Sequence, residues 1–167
     1  LVEESMLLAN QSAAEFMQNR LNLGVYRVHE DPDASKLELL KKHFHIPAQI
    51  SKKLSPLEVI NSCLVQANKK NDDVGKILVL QTLARAEYST NNLGHFGLGF
   101  HHYAHFTSPI RRYPDVIVHR LLKAYAQNKK IYELNQLRKE GEHCSMREKV
   151  AIDAERDSIK LKQVCLL

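Results

Sequence analysis

The sequence predicts an α+β fold that is mostly helical, with long helices packed around a small antiparallel β-hairpin. Apolar residues recur at three-to-four spacing over most of the chain, beginning with Met6, Ala9 and Ala13. Two segments, residues 24–29 and 95–107, instead alternate in the manner of β-strands. The chain has 167 residues, of which 44% are hydrophobic, so it is about one domain long and able to bury a sizeable core.

The first half of the chain predicts helices and one short strand. Ser35–Glu38 and Ser55–Glu58 both fit a capping box, and Pro56 stands at the first helical position after Ser55. Asp72 or Asp73 caps a further helix. The predicted helices cover residues 1–20, 35–44, 55–70 and 72–86, and the strand covers residues 24–29.

The second half predicts a hairpin followed by helices. Apolar residues alternate with Gly97 and Gly99, and glycines on one face of a strand permit close approach of a backbone or a ligand. Ser108-Pro109 begins a helix that we expect to be kinked near Pro114, and Gly141 interrupts the helix after it. The predicted strands lie within residues 95–107, and the helices cover residues 108–127, 133–140 and 145–167, the last capped by Ser145.

Composition and charge narrow the class of protein. The three cysteines, Cys63, Cys144 and Cys165, are an odd number without a CxxC pair, which argues against a disulfide framework or a zinc ribbon and favours the cytoplasm. No apolar run approaches the roughly 20 residues of a membrane span, so no membrane partner is expected. The net charge of +5 suits a polyanionic partner. A helix begins at Leu1 without a cap, and no stop signal precedes Leu167, so we expect a chain truncated at both ends.

The segment Ser108–Arg112 is a candidate anion site. With Ser108 as the N-cap, Arg111 would lie in the first helical turn, beside free N–H groups and the positive end of the helix dipole. An arginine is unfavourable there unless an anion binds, and a phosphate would suit both the helix end and the guanidinium fork. The alternative is that Arg111 and Arg112 are solvated or paired with Asp115.

Aromatic and basic residues alternate around this segment, as in proteins that stack the bases of single-stranded nucleic acid and follow its phosphates. We assign Phe96 and Phe100 to the core. His101 and His105 have the spacing of metal ligands on a helix, but their strand-like context and the lack of an acidic partner disfavour zinc. The residues of this set are Phe96, Phe100, Tyr103, Phe106, Tyr113, His101, His102 and His105.

Acidic and polar residues near the two ends carry weaker signals. On a helix Asp153 and Asp157 share a face while Glu155 points elsewhere, which is typical of a solvated surface. Glu3 and Asn10 in the first helix are likewise expected to be exposed. Taken alone, the acidic residues of the last helix are weak evidence for a metal site.

Together the residues resemble the ribonuclease II/ribonuclease R (RNB) superfamily over essentially the whole chain. Three blocks stand in the family's order: LVEESMLLAN at residues 1–10, HFGLGF and HFTSPIRRYPDVIVHR within residues 95–120, and AERD at residues 154–157. The middle block is the most specific, and its double arginine and Tyr-Pro-Asp step are more similar to ribonuclease R than to ribonuclease II. The resemblance identifies residues 1–167 as the C-terminal portion of an RNB exoribonuclease catalytic domain.

The resemblance implies hydrolysis of single-stranded RNA from its 3′ end to nucleoside 5′-monophosphates. No obligate protein partner is evident from the sequence. It implies that Arg111 is a catalytic residue that contacts the reacting phosphate. Glu155 would lie near the terminal nucleotide as a second catalytic residue, and Glu3 would contact a ribose 2′-hydroxyl. The other expected RNA-binding residues are Tyr103, His105, Ser108, Arg112 and Tyr113.

The chain departs from the family pattern at the metal site. Family members hold Mg²⁺ with a cluster of aspartates upstream of the LVEE block, and nothing in this sequence matches that cluster. Mg²⁺ is therefore expected in the parent enzyme and not on this chain, which we expect to be inactive by itself. Two alternatives remain: a non-catalytic RNA-binding or scaffold paralogue, and a structural helical domain with an accidental basic patch.

Overall fold

The computed structural model describes residues 1–47, 54–129 and 132–165. It is mostly helical with one small antiparallel sheet, which confirms the predicted fold class. No helix in these ranges is both long enough and apolar enough to cross a membrane. The helices are α1 (Val2–Phe16), α2 (Ala34–His43), α3 (Pro56–Lys70), α4 (Asp73–Thr82), α5 (Tyr113–Ala126) and α6 (Leu134–Cys165), and the strands are β1 (Tyr26–Val28) and β2 (Glu87–Ser89).

The chain divides into two compact units. The first unit consists of residues 1–28, 87–94 and 100–167 and contains every predicted site residue. Its sheet pairs β1 with β2, so that Tyr26 lies opposite Ser89 and Val28 opposite Glu87. The core of this unit is formed by apolar side chains of α1, α5, α6, the sheet and the residues that flank them. Those almost completely excluded from solvent include Met17, Val25, Val28, Ile117, Val118 and Leu137.

The second unit consists of residues 29–86 and 95–99 and packs α2, α3 and α4 around Leu40, Val59 and Cys63. The Ser55 capping box is confirmed, since Glu58 N–H donates to Ser55 Oγ and the Glu58 carboxylate accepts from Ser55 N–H at 2.7 Å.

Two details of the predicted helices in this unit were wrong. Asp33, not Ser35, caps α2, and its carboxylate accepts from Ser35 N–H at 2.7 Å. Asp72 caps α4 as one of the two alternatives predicted, but that helix ends at Thr82, four residues early.

The predicted hairpin at residues 95–107 was also wrong. Residues Phe96–Leu98 form a 3₁₀ turn, and the partner of β1 is β2, about 60 residues away in the chain. Gly94 and Gly99 have φ angles of +77° and +68°, a left-handed conformation that a continuous strand does not contain. Of the two glycines that we assigned to a strand face, Gly97 lies within this turn and Gly99 ends it.

The predicted start of α5 and the predicted break within α6 both differ from the structure. Residues 108–111 form an isolated turn, and α5 begins at Tyr113, so Pro114 lies in its first turn and produces no interior kink. Helix α6 is continuous through Gly141, where an added Cβ would lie 3.3 Å from the carbonyl oxygen of Tyr88. This glycine permits close packing of α6 on β2 instead of ending a helix. Ser145, predicted as a cap, lies inside α6 and accepts from Tyr88 N–H at 2.8 Å.

The three cysteines should differ sharply in reactivity towards an alkylating reagent at mildly alkaline pH. Burial raises the pKa of the Cys63 thiol to about 11, and burial also raises the pKa of Cys144, whereas Cys165 is exposed. We expect Cys165 to be modified first and the other two only after denaturation, as measured by peptide mass spectrometry. Equal labelling of Cys63 and Cys165 in the folded protein would contradict the packing of the second unit.

Candidate functional site

A buried carboxylate organises the turn that precedes α5. Asp115 is fully buried, and its Oδ1 accepts from Ser108 N–H at 2.7 Å and from the Arg112 guanidinium at 2.8 Å. The turn closes on itself because the carbonyl of Ser108 accepts from the N–H groups of Arg111 and Arg112 at 3.3 and 3.1 Å. The carboxylate therefore fixes both ends of the Ser108–Arg112 turn.

The two neighbouring arginines have different roles in this arrangement. Arg112 is mostly buried and paired with Asp115, so it stabilises the turn. The Arg111 side chain is exposed and makes no hydrogen bond or ion pair with any residue that the structure describes. The sequence analysis placed Arg111 in the first turn of a helix. This was wrong, because α5 begins only at Tyr113. Any affinity for an anion must therefore come from its guanidinium group and not from a helix end.

Asn10 fastens the segment leading into the turn to α1. Its Oδ1 accepts from the N–H groups of Phe106 and Thr107 at 3.0 and 3.2 Å, and its Nδ2 donates to the Tyr103 hydroxyl at 3.1 Å. Asn10 is buried, which corrects the expectation of an exposed side chain. One feature of the sequence could have predicted this burial. Asn10 lies three residues before Ala13, on the face of α1 that is buried.

Tyr103 and His105 support the segment from within. The Tyr103 ring is buried, so it presents no free face on which a base could stack, contrary to the sequence interpretation. His105 is half-buried, and its Nδ1 lies 2.9 Å from the hydroxyl of Tyr88. Burial raises the pKa of Tyr88 to about 12, so this phenol stays protonated at neutral pH.

Tyr88 also connects the sheet to α6. The guanidinium of Arg27 lies 4.6 Å from the centre of the Tyr88 ring and forms a fork with the Glu148 carboxylate, at 2.7 and 3.1 Å. This network occupies the carboxylate of Glu148.

A cavity of about 550 Å³ lies in the first unit, between the turn, β2 and α6. Tyr113 lines this cavity and is half exposed, and the Arg120 guanidinium lies 5.9 Å from its ring centre. Of the two tyrosines predicted to bind RNA, Tyr113 has an accessible ring and Tyr103 is buried. The cavity is lined by Tyr88, Arg111, Arg112, Tyr113, Pro114, His143, Cys144, Arg147, Glu148 and Ala151.

The two acidic site residues predicted from the resemblance are both exposed. Glu155 lies one helical turn beyond Ala151 on the same face of α6, about 6 Å further along the axis. Glu3 lies in the first turn of α1, two turns before Asn10 and on the same face. Ser108, Arg111, Arg112 and Tyr113 are thus adjacent, Glu155 is one turn from the cavity, and Glu3 is connected to the turn through α1.

The described residues do not fit a magnesium ion. In the ranges 1–47, 54–129 and 132–165, no three His, Cys, Asp or Glu side chains come close enough together to hold a metal. Glu148, the acid that lines the cavity, is paired with Arg27, and Asp115 in α5 is paired with Arg112.

Known proteins resemble this chain in sequence and in structure. The family model of the RNB domain matches residues 1–128. Ribonuclease R of Thermotoga maritima is 40% identical over 98% of this chain and 24% of its own length. The structure of Mycoplasma genitalium RNase R in complex with ribose-methylated single-stranded RNA is 32% identical with a TM-score of 0.77, over 99% of this chain and 28% of that chain. Yeast Ssd1, a pseudonuclease, is 29% identical with a TM-score of 0.66, over 86% of this chain and 19% of that chain.

The chain belongs to the RNB ribonuclease family, and its resemblance to ribonuclease R is confirmed. It spans about a quarter of the length of the curated relatives that it matches.

Replacing Asp115 with asparagine should lower the free energy of unfolding by about 2 kcal/mol or more, because hydrogen bonds to a charged group each contribute about 1.5–3 kcal/mol. The substitution keeps the shape of the side chain but leaves Arg112 without its counter-ion. Glu142→Gln is the matched control, since it removes the carboxylate from the exposed ion pair with Arg138, a kind of pair that contributes less than about 1 kcal/mol. Equal losses in urea denaturation would contradict the role of Asp115.

Proposed function

We propose that this chain forms the RNA-contacting half of the active site of a 3′→5′ exoribonuclease that hydrolyses single-stranded RNA to nucleoside 5′-monophosphates. The proposal treats residues 1–167 as the C-terminal portion of the RNB catalytic domain of a cytoplasmic enzyme. The observation that carries it is the exposed Arg111, which lines a cavity whose lining carboxylate, Glu148, is already paired with Arg27. The single-stranded RNA bound by Mycoplasma genitalium RNase R supports the same class of substrate.

In this proposal Arg111 binds the phosphate of the scissile linkage. A guanidinium is planar and permanently charged, and its donors match two phosphate oxygens at once. Negative charge on those oxygens grows during hydrolysis, so the interaction strengthens towards the transition state and lowers the barrier. The Asp115–Arg112 pair keeps the backbone of the turn in place. The turn that carries Arg111 therefore does not have to become ordered when RNA binds.

The other predicted residues divide into two groups in the proposal. Tyr113 offers its exposed ring to a base, while Glu155 and Glu3 contact the terminal nucleotide and a ribose hydroxyl. Arg112, Tyr103 and His105 position the turn and its approach without touching RNA themselves.

In this proposal, the residues that hold magnesium lie in the parent protein outside this chain. Two-metal hydrolysis needs carboxylates that hold the ions and activate water, and we assign them to another part of the parent protein. The isolated chain is accordingly proposed to be inactive.

A non-catalytic role in RNA binding is the second candidate. The observation in its favour is the similarity to yeast Ssd1, a pseudonuclease. Degradation of RNA by the full-length parent protein distinguishes the two candidates.

Arg111→Ala in the full-length protein should lower the single-turnover rate of RNA degradation by about 10²-fold or more, the effect of losing one electrostatic stabiliser of a transition state. Arg111→Lys should recover only part of the rate, because lysine keeps the charge but not the fork. RNA affinity, measured without Mg²⁺, should fall much less than the rate.

Arg112 is unsuitable as the control, because its removal would leave Asp115 buried without a counter-ion. Arg138→Ala serves instead, since Arg138 is exposed on α6 and pairs with the exposed Glu142. A rate for Arg111→Ala equal to that of Arg138→Ala, or a defect confined to binding, would rule out the catalytic assignment.

A further inference from the structure

Arg147 lines the same cavity as Arg111 and Arg112 of the Ser108–Arg112 turn. It is carried by α6, whose residues His143, Arg147 and Ala151 are spaced by four and line the same cavity as Arg111. The side chain is exposed, so it can reach a ligand without a change in the fold.

The sequence of α6 leaves Arg147 without an ion-pair partner. The neighbours at three and four residues on either side are His143, Cys144, Val150 and Ala151, none of which is acidic. The adjacent Glu148 is already forked to Arg27. Within the described part of the chain, no hydrogen bond or ion pair to the Arg147 side chain is found.

The cavity therefore carries uncompensated positive charge on two sides. Asp115 and Glu148 are neutralised by Arg112 and Arg27, so neither offsets Arg111 or Arg147. Cations that line one cavity create a positive potential there, and this potential favours the entry of an anion. A strand of RNA carries a phosphate at every nucleotide, so it can satisfy two separated cations at once.

We propose that Arg147 binds the phosphate adjacent to the one held by Arg111, so that α6 and the turn hold consecutive phosphates of one RNA strand. This inference rests on the proposed function but assigns a different role. The phosphate at Arg147 does not react, so its charge is the same in the ground state and the transition state. Arg147 consequently contributes to affinity and not to the rate of the bound complex.

The test measures binding of a short, unstructured oligoadenylate RNA to the full-length protein over a range of salt concentrations. Arg147→Ala should weaken binding about tenfold at low salt, the effect of one charge-assisted hydrogen bond. The slope of log K against log salt should become shallower by about 0.7, the value for one phosphate contact on a single strand. Arg147→Lys should restore the slope, because it restores the charge.

The matched control is Arg138→Ala, which removes the same charge from the opposite face of the same helix and should leave the slope unchanged. Identical affinity and slope for Arg147→Ala and Arg138→Ala would overturn the inference. So would a loss of single-turnover rate at saturating RNA in Arg147→Ala. Neither result bears on the Arg111→Ala rate, which tests the proposed function separately.

Discussion

The structure around the candidate site depends on one buried carboxylate. Asp115 has no exposed surface, and a buried charge is tolerated only when it is paired and hydrogen-bonded. Its partners are the N–H of Ser108 and the guanidinium of Arg112. Of the two adjacent arginines, Arg112 is therefore paired with Asp115, and Arg111 remains exposed. Which arginine can bind an anion is therefore decided inside the fold, before any ligand arrives.

A second constraint is the irregular segment that leads into the turn. Residues 101–107 form no helix or strand, so their backbone groups need other partners. Asn10 supplies acceptors for Phe106 and Thr107, and the carbonyl of Tyr103 accepts from Arg27 N–H at 2.9 Å. The first and middle sequence blocks of the family are thus joined physically by Asn10. Substitutions at Asn10 should therefore alter the Ser108–Arg112 turn, although the two lie about 100 residues apart in the sequence.

Some local signals were predictable from the sequence, although the caps assigned to Ser35 and Ser145 were wrong, and distant pairings were not predictable. The cap of α3 was predicted correctly because Ser55, Pro56 and Glu58 act within one helical turn. The strand partner of β1 was not, because pairing with β2 joins segments about 60 residues apart. The motif around residues 108–112 drew attention to Arg111. Sequence alone could not decide whether the two arginines bind an anion or are solvated or paired with Asp115, because the burial of Asp115 depends on tertiary packing. The same limit explains why Asn10 was assigned to the surface.

A structure of the full-length protein bound to a short RNA with a non-cleavable 3′-terminal linkage tests the central claim most directly. The account predicts that phosphate oxygens of that linkage accept hydrogen bonds from the Arg111 guanidinium, while Arg112 remains paired with Asp115. It would be contradicted if Arg112 left Asp115 to hold the phosphate, or if the RNA followed a path that left Arg111 in solvent.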